Sequence, residues 1–179
     1  MKEPIFKPKW LKLIKDVPNF PKKGICFKDI SEIFLHPDAF REIINKILKI
    51  FQQYQVDVIV APEARGFLFA SVLSYLTSTK FALIRKKNKL PRNTFTIKYQ
   101  SEYQESELEI HQDAILKNER VFLIDDILAT GNTTLAIINL LQKKFQVKIA
   151  ALVYLLDLNL KNKKSLKNYP VHILANDMK

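Results

Sequence analysis

The chain has 179 residues, of which 47% are hydrophobic and 26% charged, so it is neither disordered nor fibrous and can bury a substantial core. Its longest uninterrupted apolar run, Ile149 to Leu156, is too short to span a bilayer. The single cysteine, Cys26, excludes an internal disulfide, which fits a reducing compartment. We therefore expect a cytoplasmic protein that is not attached to a membrane.

Positive charge is concentrated in the first 100 residues. They hold 19 Lys and Arg against 8 Asp and Glu, whereas residues 101–179 hold 10 of each, giving a net charge of +11. The densest run, Lys80 to Lys98, has seven cations and no acid. Cations that follow a predicted strand favour a polyanion, either RNA or a compact polyphosphate, and charge alone does not choose between them.

Hydrophobic periodicity predicts alternating helices and strands. The predicted helices cover 38–54, 66–77 and 134–144, and the predicted strands cover 56–61, 80–84, 94–99, 120–124, 147–156 and 170–174. This alternation predicts one α/β domain over 1–179, with a mostly parallel central sheet and helices on both faces. The long polar stretch 85–116 is predicted to be a functional loop.

The segment 121–134, VFLIDDILATGNTT, places two acids and a loop of small residues between a predicted strand and a predicted helix. Open α/β sheets bind ligands beyond the carboxyl ends of their strands. A loop that opens a helix directs backbone N–H groups at an anion; here it comprises Ala129, Thr130, Gly131, Asn132 and Thr133. The adjacent acids Asp125 and Asp126 suit either the vicinal hydroxyls of a ribose or a hydrated Mg²⁺.

This segment resembles the phosphoribosyl pyrophosphate motif of the type I phosphoribosyltransferases. Four more segments resemble blocks of the adenine phosphoribosyltransferases, in the same order: NFPKKGICFKDI (19–30), APEARGFLFA (61–70), LIRKKNKLPRN (83–93) and SEYQESELEIHQDAI (101–115). The resemblance implies the type I fold, with an N-terminal hood over 1–35 and a mobile lid over 85–116. It also implies a homodimer that serves purine salvage. In that reaction adenine and phosphoribosyl pyrophosphate give AMP and pyrophosphate with Mg²⁺.

The same resemblance implies the roles of single residues. The catalytic residues are Glu102, Asp125 and Asp126, and Tyr103 belongs to the lid. Ribose and 5′-phosphate are bound by the two aspartates and the loop 129–133. Pyrophosphate is bound by Glu63, Ala64, Arg65, Arg85, Lys86 and Lys89, with a cis peptide between Glu63 and Ala64. Adenine is bound by Cys26, Phe27, Lys28, Ile127 and Leu128. No dedicated protein ligand is expected for Mg²⁺, which is bound mainly through the substrate.

The sequence departs from the family pattern at three positions that usually hold glycine, and two other functions stay open. Ala61, Ala70 and Asn132 are the departures, and asparagine is the residue that best tolerates left-handed backbone after glycine. One alternative is a phosphoribosyltransferase for hypoxanthine or guanine, which the hood and the Asp–Asp pair disfavour. The other is a regulator that binds phosphoribosyl pyrophosphate and nucleic acid. The lid block and the lack of a winged-helix segment disfavour it, so we do not expect a nucleic-acid partner.

Overall fold

The computed structural model describes residues 8–100, 105–159 and 166–177. The chain divides after Lys46 into two compact units, 1–46 and 47–179, and this boundary falls inside a helix. No helix in the described ranges has the length and apolar character needed to cross a membrane.

The first unit is built around a β-hairpin. Its elements are a 3-10 helix (Lys9–Leu13), the strands β1 (Lys15–Pro18) and β2 (Cys26–Asp29), the helix α1 (Ser31–Phe34) and the start of α2 (Pro37–Phe51). β1 and β2 pair antiparallel, and Nζ of Lys28 on β2 lies 2.7 Å from Oδ1 of Asp16 on β1. Because Lys28 is buried, this carboxylate supplies the partner that a buried cation requires.

The second unit contains a seven-stranded sheet. Its strands are β3 (Val58–Pro62), β4 (Lys80–Lys86), β5 (Thr94–Gln100), β6 (Glu105–His111), β7 (Arg120–Leu128), β8 (Lys148–Asp157) and β9 (Val171–Asn176). Helix α3 (Arg65–Thr77) connects β3 to β4, and helix α4 (Asn132–Phe145) connects β7 to β8. The strand order is β5-β6-β4-β3-β7-β8-β9. The five neighbours β4, β3, β7, β8 and β9 pair parallel, whereas β6 pairs antiparallel with both β4 and β5. The predicted mostly parallel sheet is therefore confirmed.

The chain changes direction across the sheet between β3 and β7. From β3 the connection leads to β4 on one side, and from β7 it leads to β8 on the other side. Because such crossovers are right-handed, α3 and α4 lie on opposite faces of the sheet, as predicted. The carboxyl ends of β3 and β7 thus form the topological switch point, which is where open α/β sheets bind ligands.

Burial explains the composition of the central strands. Every residue of β3 is buried, and β8 is buried from Ala151 to Asp157. Strands covered by helices on both faces need continuous apolar runs instead of alternating ones. The strands β3 and β8 were predictable from the sequence because of these continuous apolar runs.

The structure corrects three predictions about secondary structure. The hairpin of the first unit was not predicted, and β6 lies inside the stretch predicted as a long loop. The glutamates of β6 alternate with Leu108 and Ile110, which are buried. Although the segment is polar in sequence, it therefore forms a strand with one apolar face. Finally, β7 continues to Leu128 because it stays paired with β8 as far as Asp157. Both acids therefore lie within the strand and not after it.

Candidate active site

Two segments of the second unit meet at the switch point. The segment 63–64 joins β3 to α3, and the acid pair Asp125–Asp126 lies near the end of β7. A Cβ on Gly66 would lie 3.2 Å from Oδ1 of Asp125 and 3.2 Å from the carbonyl oxygen of Ile124. The close packing of α3 against β7 therefore favours glycine at this position, since a side chain would require its neighbours to shift.

Arg65 joins the two segments by an ion pair. Its Nε lies 2.7 Å from Oδ2 of Asp126, although no N–H group among the described residues is aligned for a hydrogen bond to that oxygen. The peptide bond between Glu63 and Ala64, directly before Arg65, is cis, as the family resemblance implies. A guanidinium and a carboxylate thus face each other across the ends of β3 and β7.

The two adjacent aspartates share a small, largely buried volume. Asp126 is buried, and the partly buried Asp125 accepts the N–H of Asp126 through Oδ1 at 2.9 Å. Burial, followed by the negative charge of Asp126, raises the pKa of Asp125 well above its usual value, while the charge of Arg65 acts in the opposite direction. An acid pair of this kind favours ligand groups that donate hydrogen bonds or carry positive charge.

One glycine shapes the loop before α4. Gly131 has a φ of 84°, in the left-handed region, and its carbonyl oxygen accepts the N–H of Leu135 at 3.0 Å. Asn132 is the first residue of α4 and is not among the residues with positive φ. The left-handed tolerance of asparagine is therefore not what allows this loop to form. The first turn of a helix leaves backbone N–H groups without intrahelical partners, and such groups are suited to binding an anion.

A buried hydrogen bond holds the start of α4 against β8. Oγ1 of Thr134 and Oη of Tyr154 lie 2.7 Å apart, and both residues are buried. Burial raises the pKa of Tyr154 despite the hydrogen bond with Thr134, and the charge of Asp125 contributes to the rise. The sequence analysis missed this pair because Tyr154 lies in an apolar run. The available signal was that a buried tyrosine hydroxyl needs a partner.

Glu63 holds the end of β4, where the predicted pyrophosphate cations begin. Its Oε2 accepts the Nε–H of Arg85 at 2.7 Å, and its Oε1 accepts the backbone N–H of Lys86 at 2.8 Å. Burial acts to raise the pKa of Glu63, but the hydrogen bonds from Lys86 and Arg85 outweigh it, so the pKa is lowered. Glu63 is thus a carboxylate that binds protein groups, beside the site for which we predicted an anion.

The cations that follow Arg85 fall into two groups. The side chains of Lys86 and Lys89 are exposed and form no ion pair with any residue in the ranges 8–99, 106–159 and 166–177. The other two cations are paired: Lys87 with Glu107 at 2.8 Å, and Arg92 with Asp113. The two lysines predicted to bind pyrophosphate are therefore the ones that carry no countercharge here.

The predicted adenine-binding residues lie in both units. Cys26, Phe27 and Lys28 form β2 with Asp29, and the ring of Phe27 packs edge-to-face on Phe20 at 5.2 Å. In the second unit, Ile127 is partly exposed, whereas Leu128 is buried in the hydrophobic core. The predicted lid residues Glu102 and Tyr103 lie outside the described residues.

Replacing Asp125 by asparagine should stabilise the fold at neutral pH. The amide side chain would keep the acceptor for the N–H of Asp126 and remove a charge that burial disfavours. Since the folded-state pKa is raised, ionisation costs stability above the ordinary aspartate pKa of about 3.9, and no difference remains below it. We expect Asp125→Asn to raise the Tm at pH 7 by about 2–4 °C, which corresponds to about 1 kcal/mol in a chain of this size. Thermal unfolding at pH 4 and pH 7 measures this.

Asp113→Asn is the matched control, because the side chain of Asp113 is exposed. Its Tm should follow that of the unmodified protein at both pH values. If Asp125→Asn were less stable than the parent at pH 7, the carboxylate would stabilise the fold and the expected sign would be wrong.

Known proteins with the same arrangement identify the family. A sequence model described as the phosphoribosyl transferase domain matches residues 29–176. The adenine phosphoribosyltransferase of Mycoplasma capricolum is 44% identical over 153 residues, which cover 86% of this chain and 89% of that protein.

Solved structures extend the similarity to three dimensions. The adenine phosphoribosyltransferase of Thermoanaerobacter pseudethanolicus matches with a TM-score of 0.87 and 38% identity, over 93% of this chain and 97% of that one. The Saccharomyces cerevisiae enzyme, solved with an imino-altritol bisphosphate and adenine, matches with a TM-score of 0.82 and 31% identity, over 92% and 96% of the chains. The chain therefore belongs to the phosphoribosyl transferase family and, within it, to the adenine phosphoribosyltransferases.

Proposed function

We propose that this chain transfers the 5-phosphoribosyl group of phosphoribosyl pyrophosphate to adenine in the cytoplasm, giving AMP and pyrophosphate for purine salvage. The observation that carries the proposal is the juxtaposition of Arg65, which follows the Glu63–Ala64 segment, with the pair Asp125–Asp126 at one switch point. The loop of Gly131 follows the same strand. A cation, two carboxylates and a helix start match the three parts of the substrate: pyrophosphate, ribose and 5′-phosphate.

The acid pair acts on the ribose. When pyrophosphate leaves C1′, positive charge develops on the sugar ring, and carboxylates placed beforehand beside it stabilise that charge. Asp125 and Asp126 accept hydrogen bonds from the two ribose hydroxyls, which also fixes the ring for attack. Burial and the charge of Asp126 raise the pKa of Asp125, whereas hydroxyl donors and a developing cation act in the opposite direction and favour its ionised form.

The pyrophosphate is bound by cations and backbone groups. Arg65 supplies a guanidinium, and the exposed lysines Lys86 and Lys89 supply two further charges without prior countercharges among the described residues. The segment 63–64 contributes backbone N–H groups. Arg85 is the fourth cation of this set, and its Nε is bound to Glu63.

Mg²⁺ fits this site as a companion of the substrate. Among the described residues no cluster of three or more His, Cys, Asp or Glu side chains could hold a metal ion, whereas Asp125 and Asp126 offer carboxylate oxygens. When bound, Mg²⁺ neutralises phosphate charge and assists the departure of pyrophosphate. These aspartates are the residues that would contact the hydrated ion.

The residues that we propose for adenine recognition come from β2 and from the end of β7. Backbone groups of Cys26 and Lys28 bind the edge of the base, and Phe27 and Ile127 provide apolar contact, whereas the burial of Leu128 in the core removes it from this set. In this proposal Glu102, which lies outside the described residues, exchanges a proton with N7 of adenine as the bond from N9 to C1′ forms. The adenine bound to the Saccharomyces cerevisiae relative supports the choice of base.

Turnover with each nucleobase in turn tests the proposal. With phosphoribosyl pyrophosphate and Mg²⁺, adenine should be converted to AMP far faster than hypoxanthine or guanine are converted to their nucleotides, measured by separation of the nucleotide products. Turnover of hypoxanthine or guanine at least as fast as that of adenine would refute it.

Asp126→Ala should lower turnover by about 10²-fold or more, because it removes a carboxylate that stabilises the developing charge. The folded protein should persist, as shown by circular dichroism and thermal unfolding. Asp113→Ala removes an exposed aspartate and should keep normal turnover. Near-normal activity of Asp126→Ala would show that the ribose assignment is wrong.

The outward face of α3 supports the proposal of a homodimer. Leu68, Tyr75 and Leu76 are exposed, with Tyr75 85% exposed, and Val72 lies between them at helical spacing. A contiguous apolar face on a helix is typical of an interface, and a second copy of the chain offers the same face to a two-fold axis. We therefore propose α3 as the interface between two protomers.

Tyr75→Glu should convert the dimer to a monomer, because it places a charge at the centre of this apolar face. The mass by sedimentation equilibrium should fall by half at micromolar concentration. Leu116→Glu is the control, since Leu116 is also exposed but lies on a connection far along the chain from α3. A dimeric Tyr75→Glu protein, or a monomeric Leu116→Glu protein, would refute α3 as the interface.

A further inference from the structure

Glu109 on β6 is a buried carboxylate whose partners are backbone groups. It is 4% exposed, and its Oε1 accepts the N–H of Lys89 at 2.8 Å and the N–H of Leu90 at 2.7 Å. The hydroxyl of Thr94 lies 3.5 Å from its Oε2. These donors belong to the basic loop, which we define as residues 87–93 between β4 and β5, and to the first residue of β5.

The backbone of Lys89 is held from both sides. Glu109 binds its N–H, and its carbonyl oxygen accepts a hydrogen bond from Nη1 of Arg85 at 2.9 Å. Because Arg85 is bound in turn to Glu63, the basic loop is tied to the segment that follows β3. Only the side chain of Lys89 is exposed for a ligand.

Sheet register keeps this network together. Arg85 on β4 lies directly opposite Glu109 on β6. Opposite residues of an antiparallel pair point to the same face of the sheet, so both side chains reach the basic loop from one side. Glu63, one residue beyond β3, completes the chain of contacts Glu63–Arg85–Lys89–Glu109.

We infer that Glu109 is a positioning residue for pyrophosphate binding, which it supports by fixing the backbone of Lys89, and that Arg85 is the link to Glu63. The inference rests on the proposed function, in which Lys86 and Lys89 bind pyrophosphate. The negative charge of Glu109 by itself would weaken pyrophosphate binding, because a carboxylate close to an anion site repels the anion. The benefit of Glu109 therefore comes from its hydrogen bonds, and their loss would leave the N–H groups of Lys89 and Leu90 without this acceptor.

The direction of the change in the KM for phosphoribosyl pyrophosphate distinguishes an effect of hydrogen-bond geometry from an effect of charge. Glu109→Leu removes the acceptor together with the charge, and it should raise the KM for phosphoribosyl pyrophosphate about tenfold or more while the KM for adenine changes less than about twofold. Glu109→Gln keeps an acceptor oxygen without the charge, and it should stay within about threefold of the parent for both substrates. Steady-state kinetics with each substrate varied in turn measure this.

Glu107→Gln is the matched control. Glu107 lies two residues away on the same face of β6 and pairs with Lys87 at 2.8 Å and Lys98 at 3.6 Å. The Glu107→Gln variant loses the same charge as Glu109→Gln but keeps the hydrogen bonds that Glu109 accepts from Lys89 and Leu90. Both of its KM values should therefore stay within about twofold of the parent.

Three results would overturn the inference. In the first, Glu109→Leu binds phosphoribosyl pyrophosphate as well as or better than the parent, which would assign only a charge effect to Glu109. In the second, the KM values for both substrates rise equally, as a general loss of structure would produce. In the third, Glu109→Gln is as impaired as Glu109→Leu. If Glu109→Leu does not fold, Glu109→Asp, whose shorter side chain draws the acceptor away from the loop, is judged by the same criteria.

A direct binding measurement separates this inference from the proposed function. Calorimetric titration of inorganic pyrophosphate with Mg²⁺ requires no adenine and no turnover. If the parent chain binds pyrophosphate but does not convert adenine, the proposed function is wrong and the comparison of parent with Glu109→Leu still decides the role of Glu109. Equal pyrophosphate affinity of those two proteins would overturn the inference even in an active enzyme.

Discussion

The close packing of α3 against the end of β7 is the constraint on which the site depends. At Gly66 the backbone of α3 approaches Asp125 and Ile124 so closely that a Cβ would meet both at 3.2 Å. This approach brings Arg65, the first residue of α3, within 2.7 Å of Asp126. Because the two crossovers run in opposite directions, the ends of β3 and β7 lie side by side. The absence of a side chain at Gly66 then lets Arg65 approach Asp126 and form the ion pair.

The site proposed for a polyanion contains four carboxylates that are buried or half-buried. Because negative charge weakens anion binding, the presence of each carboxylate calls for a physical explanation. Asp125 and Asp126 face the ribose in the proposed mechanism, where positive charge develops. Glu63 and Glu109 instead accept hydrogen bonds from the protein, and each takes at least one from the backbone next to a cation. Carboxylates accept such bonds more strongly than neutral groups do. In the proposed site, the cost of negative charge near a pyrophosphate is thus offset by fixed backbone geometry around the lysines assigned to bind it.

The sequence predicted the parts of this fold in which one physical signal dominates. The central strands were recognisable from continuous apolar runs, and the strand–acid–loop–helix segment that ends at Gly131 and α4 was recognisable from its spacing. β6 was missed because its buried glutamate, Glu109, reads as loop, and its stabilising partners are backbone N–H groups 19 and 20 residues away in the chain. The extent of β7 was also missed, since only pairing with β8 carries it past Asp125 and Asp126. The role of Arg85 as a link could not be predicted either, because it depends on the register of β4 beside β3 and β6.

Asparagine explains how a chain with three glycines forms its turns. Among the described residues other than glycine, those with positive φ are Asn19, Asn88, Asn118, Asn159, Ser78 and Gln146. The short side chain of asparagine bonds locally and tolerates this backbone, as where Asn19 accepts the N–H of Gly24 at 2.9 Å. Gly131 is different, because its Cβ would also lie 3.2 Å from Cδ1 of Leu166. The two glycines of the second unit, Gly66 and Gly131, thus lie where a Cβ would make tight contacts, and both positions border the proposed site.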